Sequence, residues 1–256
     1  MNQIKSKILL LKSIGETPLE CLKGFKTANP EYKDLPMTYA GRLDPMAEGL
    51  LLLLVGEECK KKDDYLYLSK EYEIEVLFGF ETDTQDILGK ITKVENNPRR
   101  SFLLFGGGTS QDYFNVFEQV KSLPQKYPAY SSKTFEGKPL WQWAREGEEK
   151  EVESNAKITD IEFLGQREID GEELLKNIQE RVSKVTGDFR QKEILRLWRE
   201  NLQDNNFQFS IIKLKVSSTG GAYMRVLASE IGKILEVPSL AYSIRRTRLG
   251  NFRYNK

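Results

Sequence analysis

The chain contains no histidine and only two cysteines, Cys21 and Cys59, far apart in the sequence. That excludes nucleophile systems built on Ser-His-Asp or Cys-His, and zinc sites that need imidazole. Two distant thiols suggest neither a Cys-only metal site nor a disulfide framework, so a reducing, cytoplasmic setting is the default expectation. Chemistry must then fall to Asp, Glu, Tyr, Lys, Arg or a hydroxyl. One carboxylate stands out. Asp44 lies in Gly41-Arg42-Leu43-Asp44-Pro45, a sharp polar turn that soon runs into six consecutive apolar side chains, residues 50–55. Dry surroundings strengthen a carboxylate as a nucleophile but also raise its pKa, so a cation is needed to keep it ionised. Taken alone, Asp before Pro favours the plainer reading of a turn residue.

A second chemical signal is basic. The net charge of +1 is uninformative, but residues 243–256, SIRRTRLGNFRYNK, carry five cations and no acid. Arg245, Arg246, Arg248, Arg253 and Lys256 are interleaved there with Phe252 and Tyr254, a composition suited to phosphate contact. By itself the segment is equally readable as a solvated tail.

These residues need elements to position them. At 256 residues, 39% hydrophobic and 30% charged, the chain has the composition of a globular protein and can bury a sizeable core. The run 50–55 is too short to cross a bilayer, and residues 8–11 lack the length and cleavage site of a signal peptide. Residues 7–12 read as a short buried strand. Thr17-Pro18-Leu19-Glu20 combines an N-cap, a proline at the first helical position and a capping-box Glu, with Leu19, Leu22 and Phe25 as the apolar face. Residues 50–55 read as a buried strand and 57–68 as helix. The clearest strand is 70–80, where Tyr72, Ile74, Val76 and Phe78 alternate with Glu71, Glu73 and Glu75. A turn at 81–89 would return residues 90–95 as its partner strand. After a glycine-rich break at 106–108 come a helix over 111–122, a strand, turn and short helix over 127–148, and a strand over 158–169. Residues 171–203 change to a charged helical pattern, divided near Gly187. A strand, a loop, a helix over 224–235 and two short strands close the chain. Helices and strands mix without βαβ regularity, which predicts an α+β fold with a mixed, mostly antiparallel central sheet flanked by helices.

The segment GRLDPMAEGLLLLLVG resembles the G-x-LDP-x-A-x-G-x-L signature of the TruB family, bacterial pseudouridine synthases acting on uridine 55 of tRNA. SKEYEIEVLFGFETDTQDILGK is similar to that family's K-x-Y strand and G-x-x-TDT-x-D-x-x-G turn. YPAYSSKTFEGKPLWQWAREGE resembles its P-x-YSA-x-K-x-x-G-x-x-LY-x-x-AR-x-G segment, GGAYMRVLASEIG its G-x-YIR-x-L-x-x-D-x-G loop and helix, and SIRRTRLGNF its L-R-R-T-x-x-G-x-F ending. These motifs fall in family order over most of the chain, whereas GRLD alone is weak, since other pseudouridine synthase families share it.

The resemblance implies roles. Asp44 matches the catalytic Asp that acts at the sugar–base unit, and Arg225 supplies the cation that keeps it ionised. Tyr72 matches the active-site Tyr that stacks on the flipped uracil and is a candidate for proton removal, although an inward aromatic on a strand is by itself core. Tyr223 and Ile244 match positions lining the base pocket and would also pass as packing residues. Lys70 supports the loop or meets phosphate. No cofactor and no metal are implied, and the partner is tRNA through its T-arm stem-loop, with no membrane and no obligate protein partner, the expected state being a monomer. Tyr39 stands where the family has a His associated with the space the target base vacates, and it retains the ability to stack. The family's D-K-P-x-G near the N-terminus is replaced by Leu11-Lys12-Ser13-Ile14-Gly15. The expected organisation is one catalytic domain over 1–256, with a helical insertion at about 171–203 and no C-terminal RNA-binding PUA domain. Two alternatives stay open: the same chemistry on another RNA, and a non-catalytic tRNA-binding or folding module. The trio Asp44, Tyr72 and Arg225 argues against the latter.

Overall fold

The computed structural model describes residues 4–95, 110–203 and 207–253. Its strands are β1 (Lys7–Lys12), β2 (Met37–Ala40), β3 (Ala47–Val55), β4 (Lys70–Phe78), β5 (Phe80–Thr82), β6 (Ile91–Val94), β7 (Gln125–Lys126), β8 (Thr134–Phe135), β9 (Lys138–Pro139), β10 (Glu153–Ser154), β11 (Ile158–Asp170), β12 (Gln208–Ser218), β13 (Ser239–Leu249) and β14 (Phe252–Arg253). Its α-helices are α1 (Pro18–Ala28), α2 (Lys62–Leu66), α3 (Ser110–Ser122), α4 (Leu140–Arg145), α5 (Gly171–Val182), α6 (Gln191–Leu202) and α7 (Met224–Leu235).

The central sheet runs β1-β3-β13-β4-β12-β11, with β2 on β3 and β14 on β13. Its pairings are antiparallel except β3 with β13, which run parallel over Ala47–Gly49. This is the mixed, mostly antiparallel α+β architecture the sequence predicts.

The strand β4 shows why the core divides in two. Tyr72, Ile74, Val76 and Phe78 point to one face, where they pack with Leu227, Ala228 and Ile231 of α7 and with Phe117 and Val120 of α3. On the other face the alternation begins wet: Glu71, Glu73 and Glu75 pair with Arg248, Lys213 and Arg167. It ends dry. Leu77 is fully buried with Phe209, Ile211 and Leu240 beneath Leu174 and Ile178 of α5 and Ile194 and Trp198 of α6. The helical pair therefore caps the second face of the sheet, and its apolar stripe repays the ordering of two amphipathic helices. The Trp198 indole, fully buried, donates to the Ile87 carbonyl at 3.2 Å. Because β11 and β12 are antiparallel neighbours, a tight turn could join them, yet α5 and α6 stand between.

The capping box at Thr17 forms as expected, with the Thr17 hydroxyl accepting from the Glu20 amide and the Glu20 carboxylate accepting from the Thr17 amide. Leu19, expected on the buried face of α1, is instead exposed. Residues 57–68 begin as 3-10 helix, Gly56–Lys61, followed by the similarly short α2. Residues 91–94 return beside only the end of the expected strand 70–80, where Val94 pairs with Phe80. They pair with β5, because both edges of β4 are occupied by β12 and β13. The closing pair of short strands is in fact one long strand, β13, with two bulges, followed by the two-residue β14. The glycine-rich break at 106–108 lies outside the described residues. No helix among the described residues is long and apolar enough to cross a membrane.

Candidate active site

The turn that carries Asp44 is held from several directions. Gly41 adopts φ +76°, which a glycine tolerates without strain. The Ala47 amide donates to the Asp44 carbonyl at 3.0 Å, closing the turn into β3. Leu43 and Met46 are buried on either side. Two residues into β3, Gly49 has φ +108°, and a Cβ there would lie 2.3 Å from the Arg246 carbonyl. Only glycine permits the parallel approach of β13 that walls the site.

Asp44 keeps its side chain 34% exposed and faces Arg225, whose side chain is 3% exposed. Arg225 is the second residue of α7 and donates from Nε to Asp44 Oδ2 at 2.8 Å, from Nη1 to the Thr84 carbonyl at 2.6 Å and from Nη2 to the Tyr130 carbonyl at 3.2 Å. Its Nε also lies 3.7 Å from Asp86 Oδ2. Burial alone would lower the pKa of Arg225, but the carboxylates of Asp44 and Asp86 outweigh it and the net direction is upward. The cation is therefore permanent, and it is aimed at a carboxylate that solvent can still reach.

Asp86 is the site residue whose role sequence reasoning missed. It lies within the Thr82-Asp83-Thr84-Gln85-Asp86 turn and is 4% exposed. Its Oδ1 accepts from the Thr84 hydroxyl at 2.7 Å and the Leu88 amide at 2.9 Å. Burial pushes its pKa up, opposed chiefly by Arg225. The signal available in the sequence was charge balance, since a buried Arg among apolar residues calls for more than one partly solvated carboxylate.

Tyr72 is buried on β4, close enough for the charge of Asp44 to act on it. Burial raises its pKa, and the adjacent Arg246 guanidinium opposes that rise. Tyr223, the N-cap residue of α7, has its pKa pushed up to about 12, first by burial and then by Asp44. Its ring meets that of Tyr127 edge-on at 5.7 Å. Ile244 sits in the same buried cluster as Tyr72 and Leu43. The structure thus brings Asp44, Arg225, Tyr72, Tyr223 and Ile244 to one region.

Other candidates are placed differently. Tyr39 packs under α1 with Leu22, Leu51 and Leu53, in a separate cluster. Lys70 is 3% exposed and donates to the Leu66 and Leu68 carbonyls, each at 2.9 Å. It supports the loop. Arg246, expected at the RNA backbone, is likewise buried. It is 1% exposed and donates to the Leu50 carbonyl at 2.7 Å and to the Arg42 and Gly41 carbonyls at 3.3 and 3.2 Å. On β13 it points inward like Ile244, fastening the Asp44 turn to the sheet. Arg248 is half-buried against Glu71 at 2.7 Å, and Arg245 lies 3.8 Å from Glu48. Arg253 is exposed, while Tyr254 and Lys256 fall outside the described residues. Lys12, unassigned from sequence, is buried and donates to the Ala47 carbonyl at 2.6 Å and the Ser13 carbonyl at 2.8 Å. Burial lowers its pKa to about 8.

Comparison with known proteins agrees with the fold. The fold resembles solved structures of a Cbf5-Nop10-Gar1 complex (TM-score 0.56, 16% identity) and of an H/ACA RNP bound to a substrate RNA containing 2'-deoxyuridine (TM-score 0.51, 15% identity). Each match covers 97% of this chain and about half of the other, 50% and 49%. Relatives named tRNA pseudouridine synthase B include one from Caldanaerobacter subterraneus, 31% identical over 215 residues, and one from Caldicellulosiruptor saccharolyticus, 27% identical over 214. Each covers 84% of this chain, which spans 59% and 58% of the relatives' own lengths. The family model for the N-terminal domain of TruB family pseudouridylate synthase matches residues 32–187, more than half of the 256. The chain belongs to the TruB family of pseudouridylate synthases.

Proposed function

We propose that the protein is a tRNA pseudouridine synthase, an isomerase that converts the uridine at position 55 of the T-arm loop to pseudouridine. One observation carries the reading: a permanently charged, buried Arg225 holds Asp44 at 2.8 Å while leaving its carboxylate partly open to solvent. That arrangement leaves a carboxylate fixed by a cation and still reachable by substrate. In the reaction the N–C glycosidic bond of uridine breaks, the base turns, and a C–C bond to the same ribose forms. The carbon loses its proton and the freed nitrogen gains one, so atoms and electrons balance within the substrate. Asp44 acts at the sugar–base unit as nucleophile or as electrostatic partner of the developing positive charge. The resemblance gives Tyr72 the stacking of the extruded base, and because its ring is buried on β4 that role requires the pocket to open. The choice of tRNA rests on the names of the relatives and on the motif resemblance.

The test is to incubate the purified protein with unmodified tRNA and map pseudouridine at single-nucleotide resolution. Conversion at position 55 supports the proposal; conversion elsewhere moves it to another RNA site. No conversion in any cellular RNA would leave the third reading, a binding module.

A further inference from the structure

Arg190 lies outside every motif discussed above and beyond the family match, which ends at residue 187. It precedes α6 with a left-handed backbone, φ 64° and ψ 25°, a conformation non-glycine residues adopt at a cost. The loop is fixed around it. Gln191 accepts from the Phe189 amide at 2.9 Å and donates to the Val185 and Gly187 carbonyls at 3.0 and 2.8 Å. From there the guanidinium makes a two-pronged pair with Asp83, Nη1 to Oδ2 at 2.5 Å and Nη2 to Oδ1 at 3.2 Å. Nη1 also donates to the Tyr130 hydroxyl at 2.9 Å, and the guanidinium lies over the Tyr130 ring at 4.5 Å. Asp83 and Arg190 side chains are each only 17% exposed.

The two residues gripped are significant for what they hold. Asp83 adjoins Thr84, whose carbonyl receives Nη1 of Arg225, and the carbonyl of Tyr130 receives Nη2. These segments are far apart in sequence, and Arg190 joins their side chains as Arg225 joins their backbones. We propose that the helical pair α5–α6 completes the active site through Arg190, a positioning residue that fixes the two carbonyls holding Arg225 and, through it, Asp44. The inference rests on the function proposed above. The fork geometry is what the role requires, since an ammonium cannot pair twice with Asp83 while lying flat on Tyr130.

The experiment compares wild type with Arg190→Met, Arg190→Lys, Asp83→Asn and the double variant Arg190→Met/Asp83→Asn, using a T-arm stem-loop RNA. Single-turnover rate at saturating RNA and RNA affinity are measured separately. The expected result is a rate about tenfold lower in Arg190→Met, with a twofold change or less in Kd and partial rescue in Arg190→Lys. The double variant should lose little more than either single one, because the two residues act as a unit. If Arg190→Met does not fold, Arg190→Lys and Asp83→Asn give the same reading. An unchanged rate in the folded variants overturns the proposal, as does weaker RNA binding with an unchanged rate, which would make Arg190 an RNA contact. If the wild type itself shows no turnover, the proposed function fails, and hydrogen exchange of the Lys90 amide, which donates to Asp83 Oδ1 at 2.8 Å, decides the clamp. Faster exchange in Arg190→Lys supports it, and unchanged exchange overturns it.

Discussion

Two turns bring a carboxylate to the same guanidinium, and they are built for different ends. The turn over residues 41–46 presents Asp44 with its side chain 34% exposed, while the turn over residues 82–89 presents Asp86 with its side chain 6% exposed. Asp44 has the shorter contact with Arg225, 2.8 Å against 3.7 Å. Asp86 has the richer local support, from the Thr84 hydroxyl and the Leu88 amide. A carboxylate that must meet substrate keeps one side open and is held on the other by a cation. A carboxylate that only balances that cation can be sealed in and held by its own turn. Under the proposed function, the first turn carries the chemistry and the second the electrostatic scaffold.

The change that should damage both turns at once is Arg225→Met. It leaves the buried Asp86 unpaired, and losing one partner of a buried ion pair costs about 3–5 kcal/mol. Turnover should fall by roughly a thousandfold or more. Urea unfolding and single-turnover kinetics check the two effects separately; a variant of normal stability would show that Asp86 does not depend on Arg225.

Tyr72 sharpens the assignment beside Asp44. Tyr72→Phe keeps the ring and should retain RNA affinity while turnover drops by about a hundredfold, the scale of a lost proton-transfer group. Tyr72→Leu should in addition weaken binding by about 1–3 kcal/mol, the scale of base stacking. Equal rates for Tyr72→Phe and wild type would reduce Tyr72 to a stacking platform.

The buried lysines around the first turn make stability depend on pH. Lys12 and Lys70, ordinarily protonated up to 10.5, are lowered by burial to about 8. Between those values the unfolded chain binds more protons than the folded one, so stability rises with pH across that window. Burial raises Tyr72, Tyr223 and Tyr242 above their ordinary 10.0, and this reverses the trend above that pH. The urea midpoint should climb from pH 8 to about 10 and then decline, with a shallower climb in Lys12→Met. A midpoint that falls steadily from pH 8 would contradict the burial of these amines.

The smallest expected effect concerns the basic ending. Arg253→Gln should flatten the salt dependence of RNA binding by at most about one unit, the contribution of one phosphate contact. Arg246→Gln should leave that slope unchanged and lower stability instead, because its guanidinium is spent on three backbone carbonyls. A reversed pattern would place Arg246 at the RNA.

Much of this was legible in the sequence, and the omissions share a cause. The alternation over residues 70–78, the capping box at Thr17 and the helical character of residues 171–203 depend on neighbours in the chain, and all three appear as read. The resemblance brought Asp44, Arg225 and Tyr72 forward, although they lie on different elements. Local pattern could not show which strands flank β4, so residues 91–94 were expected along the strand 70–80 and pair only at its end. Nor could it show that Arg246 points inward on β13 while Arg253 does not, because a run of arginines reads alike whichever face each occupies. Asp86 and Arg190 escaped for the same reason: their significance lies in partners more than a hundred residues away, at Arg225 and Asp83.

The most direct test of the contrast between the two turns is single-turnover kinetics of Asp44→Asn and Asp86→Asn side by side, on saturating T-arm RNA. Asp44→Asn should yield no detectable pseudouridine while still binding RNA, since the substitution keeps shape and removes only the attacking charge. Asp86→Asn should remain active, slowed by no more than about a hundredfold through misplacement of Arg225. Turnover by Asp44→Asn, or its survival alongside a dead Asp86→Asn, would contradict the assignment of the chemistry to the open turn.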